Sequence, residues 1–121
     1  MLAAIVAAQF TIAVSAPAPG NLSEALYAAS VDASGSRLCD RRTGARYAAL
    51  FNRRYGARIR ALTRYHESRY GPDPDFIITT SCRITLAPAR ELDRNHSRAM
   101  DRFDDTLRAL ERRFGPTDDI R

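Results

Sequence analysis

The chain contains no lysine: all 19 of its basic residues are arginine. Every cationic side chain is therefore a planar, permanently charged fork suited to bidentate contact with carboxylate or phosphate. Cysteine is almost as scarce. Cys39 and Cys82 are the only two, which excludes a thioredoxin-type CxxC and any zinc-finger spacing. The chain also has no Gly-rich phosphate loop, no tight helix-turn-helix and no aromatic sheet signature for RNA. "HESRY" at His66 lacks the second histidine of a zincin. Ser81 and Ser97 lack the flanks of a nucleophile elbow. Asp104–Asp105 and Asp118–Asp119 are sequence neighbours, which diverge on a helix and read as surface acids. With these absences, an enzyme is the less favoured class.

Long apolar runs are missing too. Leu2 to about Ala16 is uncharged and apolar, but a membrane-spanning helix needs about 20 residues. Its length and the small residues after it predict a secretory signal peptide over residues 1–20, followed by a single small helical domain over 21–121. Cleavage after Ser15 or Gly20 would avoid Pro17 and Pro19 next to the cut. The lack of a basic residue at the front argues against export, and an uncleaved anchor or an internal core helix are the alternatives. If the chain is exported to the periplasm or secreted, Cys39 and Cys82 are expected to form a disulfide. In a cytosolic protein they would be two buried thiols.

What is present is helical. "NLSEALYAAS" has Asn21 as a candidate cap and Glu24 at the capping-box position. "VDASGSRL" is small and polar, hence a linker. From Thr43 to Tyr70 the residues Ala48, Phe51, Tyr55, Ile59, Leu62 and His66 recur in steps of three and four. From Pro88 to Phe114 the same period returns in Leu92, His96, Ala99, Phe103, Leu107, Leu110 and Phe114. Pro88 suits a first-turn position. Both stretches end in an aromatic residue, Gly and Pro ("RYGP", "RFGP"), a stop in which Gly is expected to turn left-handed and Pro cannot continue. The shared pattern of "RYHESRYGP" and "RALERRFGP" admits a decayed duplication, though any two Arg-rich amphipathic helices ending in Gly-Pro would look similar.

The predicted fold is thus mainly α, with two long helices at about 43–70 and 88–114 and a short N-terminal one. Between the long helices lies "PDPDFIITTSCRITL", the only β-branched apolar run after the N-terminus. A continuous helix over 43–70 is about 40 Å long, and Cys82 follows its end by only 12 residues. To meet Cys39, residues 72–82 must run back nearly fully extended, covering about 36 Å. The disulfide therefore predicts an extended connector over 75–82 along the first helix, with Phe76 and Ile78 on the helix pair and Ile77 and Thr79 turned elsewhere. It also predicts that the second long helix runs parallel to the first. A break at Gly56 would relax this constraint. Without the disulfide, the plain alternative is an antiparallel helical hairpin.

Charge is uneven. Arg37 to Tyr70 carries ten arginines against Asp40 and Glu67, whereas the segment from Pro88 onward is balanced. Arg46, Arg53, Arg60 and Arg64 fall on one side of the helical wheel, opposite the apolar stripe, and form a candidate polyanion-binding face. The alternative is a solvated face, partly paired with acids of the second helix. Tyr47, Tyr55, Tyr65 and Tyr70 give the same helix an aromatic share, and Tyr47 and Tyr65, beside the apolar stripe, suggest the rim of an Arg/Tyr contact surface or, more plainly, the edge of the core with phenols exposed. His66 and His96 are the only histidines. Asp93 precedes His96 by three, so a shared metal site is conceivable in an antiparallel hairpin and excluded in a parallel one. No cofactor is expected.

The favoured function is an exported cell-envelope binding or structural module, with an anionic envelope component or a protein as partner. The alternatives are a cytosolic basic helical protein that binds nucleic acid, and a metal-dependent enzyme using both histidines.

Overall fold

A computed structural model describes residues 22–78 and 81–116. The expected signal peptide and the Asn21 cap lie outside the described residues. Three helices form: α1 (Leu22–Ser30), α2 (Arg41–Tyr70) and α3 (Ala89–Phe114).

α2 is continuous for 30 residues and passes through Gly56 without a break. It starts two residues earlier than the apolar period suggests, because Asp40 caps it. The Asp40 carboxylate accepts hydrogen bonds from the Arg42 and Thr43 backbone N–H groups at 3.0 and 3.3 Å. Those bonds, the one from Thr43 foremost, hold the Asp40 carboxyl below its ordinary value. Pro88 stands just before α3 as its N-cap rather than inside its first turn.

The two Gly-Pro stops differ from the left-handed turn expected of both. At each, the glycine N–H bonds back to the carbonyl of a glutamate, Glu67 at 2.7 Å and Glu111 at 2.9 Å. Gly71 has φ +80° with an extended ψ of 179°. Gly115 has an ordinary φ of −86°. There glycine is required by space instead, since a Cβ would lie 2.5 Å from the Glu111 carbonyl oxygen.

Cys39 and Cys82 are bonded, with Cα atoms 4.9 Å apart. Beside them Leu38 and Arg83 form a parallel bridge: Cys39 N–H donates to the Arg83 carbonyl and Arg83 N–H to the Arg37 carbonyl. Residues 71–78, 81 and 82 contain no helix, so the described part of the return from the end of α2 is non-helical, as the reach to Cys39 requires. In consequence α2 and α3 are parallel, and their contacts climb together. Tyr47 meets His96, Phe51 and Tyr55 meet Phe103, Arg58 meets Glu111, and His66 meets Phe114. The antiparallel hairpin is excluded. α1 runs against both, since its Ser23 N–H bonds to Asp73 beyond the end of α2, while the Ala33 carbonyl just past its own end reaches His96 near the start of α3.

The core joins all three helices through Leu22, Leu26, Phe51, Tyr55, Leu62, Phe103 and Leu107. The two predicted stripes supply most of it, and Ala48, Ile59, Leu92 and Leu110 from them are half-buried. The connector departs from expectation. Phe76 packs against Tyr27 of α1, at 5.8 Å between ring centroids. Ile78, expected on the helix pair, is 55% exposed, and Ile77, Ile84 and Leu86 are exposed as well. A lone extended segment held by one bridge has no neighbouring strand to impose strict alternation.

Candidate functional site

The basic outer face of α2 is present but smaller than its wheel suggests. Arg53, Arg60 and Arg64 are exposed, and none forms an ion pair among the described residues. Arg46 is committed elsewhere: its guanidinium bonds to Asp93 of α3 at 3.1 Å and lies 4.9 Å from the Tyr47 ring centroid. Arg58, which faces α3, forks onto Glu111 at 3.1 and 2.7 Å and reaches Asp104 at 3.4 Å. Hydrogen bonding to Glu111 is the main cause of its raised pKa.

Of the tyrosines on α2, Tyr55 lies in the core as its place in the apolar stripe predicts, and Tyr47, expected at a contact rim, is internal too. Tyr55 is fully buried and donates its hydroxyl to the Met100 carbonyl at 3.1 Å; burial raises its pKa. Tyr47 is buried as well. Tyr65 is half-buried and Tyr70 exposed. Arg54 and Arg58 lie over the Tyr55 ring and Arg69 over that of Tyr65, so the arginine–tyrosine pairing serves intramolecular cation–π contact.

Where the two long helices begin, a polar cluster forms that the sequence pointed to only in pieces. The Tyr47 hydroxyl donates to Asp93 at 2.6 Å. The Tyr47 and His96 rings stack at 4.0 Å, and His96 Nε2–H donates to the Ala33 carbonyl at 2.8 Å. Burial first, and the Asp93 carboxylate second, push the Tyr47 phenol up to about 12. The hydrogen bonds from Tyr47 and Arg46 lower the Asp93 pKa. Asp93 and His96 were visible as a spaced pair on one face; Tyr47 joins them only because the helices are parallel. A groove of about 620 Å³ lies alongside, walled by Arg53, Arg54, Leu50 and Met100.

His66 stands at the other end. It is buried between Tyr70 and Phe114, and its Nδ1 is 3.4 Å from Asp73 Oδ1. The parallel arrangement thus separates the two histidines and removes the shared metal site. Among the described residues no group of three or more His, Cys, Asp and Glu side chains could hold a metal ion. Among the same residues no helix is long and apolar enough to cross a membrane. Comparison with family models, curated proteins and solved structures finds no match for this chain.

Proposed function

We propose that the protein is an exported binding module of the cell envelope, whose ligand is an anionic polymer gathered on the outer face of α2. One observation carries this reading. Of the ten arginines from Arg37 to Tyr70, only Arg46 and Arg58 pair with acids among the described residues. Apart from half-buried Arg37, which precedes α2, the unpaired arginines of this segment are exposed on α2. Long-range attraction to a polyanion needs only such a field. The Cys39–Cys82 bond and the apolar run before α1 support an oxidising compartment, whereas a cytosolic nucleic-acid binder would keep both thiols reduced.

The test is retention on heparin as a function of salt. The wild type should elute late, with log affinity falling by about one unit per phosphate-like contact for each unit of log salt. Replacing Arg53, Arg60 and Arg64 together with Gln should move elution to clearly lower salt and leave the melting temperature little changed, because all three are exposed and none forms an ion pair among the described residues. Unchanged retention would show that the face is merely solvated.

A further inference from the structure

A second cluster of arginines was not apparent from any helical period, because its members come from different parts of the chain. Arg37 lies in the loop after α1, Arg83 in the connector, and Arg98 and Arg102 one turn apart on α3. All four line one cleft of about 370 Å³. The disulfide and the Leu38–Arg83 bridge place the first two side by side, since Arg83 N–H donates to the Arg37 carbonyl. None of the four pairs with an acid among the described residues. The Nε of Arg37 is buried and meets no acceptor. Buried polar groups in folded proteins are nearly always bonded, so the guanidinium of Arg37 is incompletely partnered within the chain.

Charge and size narrow the oxyanion. Asp32 and Glu91 share the cleft wall with the four arginines, leaving a formal charge of +2. A phosphate monoester carries about −1.5 to −2 at neutral pH, and its oxygens accept the bidentate fork of arginine. A single carboxylate would leave half the charge unmatched. The volume is at the small end of ligand pockets, about 300–1,000 Å³. Asn95, which offers both donor and acceptor, also lines the cleft. We infer that this cleft binds a small phosphate monoester, its phosphate held by Arg37, Arg83, Arg98 and Arg102 and its hydroxyls by Asp32, Glu91 and Asn95.

Calorimetric titration of the oxidised chain with glycerophosphate, a hexose phosphate, inorganic phosphate and glutarate tests this. One of the two monoesters should bind saturably and one-to-one, at least tenfold tighter than inorganic phosphate or glutarate. Arg98→Gln and Arg102→Gln lie on the exposed side of α3 and should weaken it at least tenfold without lowering the melting temperature. The Arg53/Arg60/Arg64 to Gln variant should bind it as the wild type does, so the heparin result, either way, leaves this inference standing or falling on its own. No saturable monoester binding, equal affinity for glutarate or inorganic phosphate, or wild-type affinity in both α3 variants would overturn it.

Discussion

Tyr47 shows how much one side chain takes on when two helices run parallel. It donates to Asp93, stacks on His96 and carries Arg46 on its ring. Its folded pKa of about 12 lies above the unfolded value near 10. The folded state therefore holds this proton more tightly. The stabilisation is complete below pH 10 and is lost as the pH rises from 10 toward 12. Asp93 behaves oppositely: its pKa is lowered, so its contribution is present above the ordinary carboxylate range and is lost as the pH falls through the folded value. Tyr47→Phe removes a hydrogen bond to a charged group and should cost about 2 kcal/mol. In a phenolate absorbance titration of the folded protein it should also delete one late-ionising tyrosine. A variant that loses a tyrosine ionising near pH 10, with the late-ionising phase intact, would show that the Tyr47–Asp93 bond is not formed.

At the scale of elements, the ends of helices are held by residues distant in sequence. α1 is tied at Ser23, whose N–H donates to Asp73 Oδ2 at 2.6 Å, a carboxylate 50 positions away acting as the cap. Asp73→Ala should cost about 1 kcal/mol in urea denaturation. Asp73→Asn keeps an acceptor for the same N–H and should cost less; equal losses would mean that this bond contributes nothing. The register of α2 on α3 is set in part by the Arg58 fork onto Glu111. A double-mutant cycle on Arg58 and Glu111 should give a coupling of up to about 1 kcal/mol, since both side chains keep some contact with water.

For the molecule as a whole, the Cys39–Cys82 bond decides the topology. Its partners are 43 residues apart, and closing a loop of that size stabilises by about 4 kcal/mol in the chain-entropy model. Cys82→Ser should lower the melting temperature by something on the order of 20 °C, and reductant should do the same to the wild type. A small loss would mean that the parallel pair is held by its core alone. The same bond carries the inferred phosphate site, because it brings Arg37 and Arg83 together. Reduction should therefore weaken monoester binding before it affects heparin retention.

Much of this was legible in the chain itself. Apolar residues in steps of three and four dictated the inward faces of α2 and α3, because burial is decided locally by which side of a helix a residue occupies. The length of the β-branched run dictated an extended return, because only extended chain covers that distance in so few residues. Tertiary structure alone decided the rest. Tyr47, beside the stripe, went inward and Arg46 was drawn to Asp93, since which residues at the edge of a helix face find partners depends on the helix opposite. Ile77 and Ile78 stayed in solvent because the connector was needed for its reach rather than for core. The four-arginine cleft had no signature in any window of sequence: Arg98 and Arg102 share a face of α3, but Arg37 and Arg83 lie outside the helices, and only the disulfide-closed loop brings them to that face.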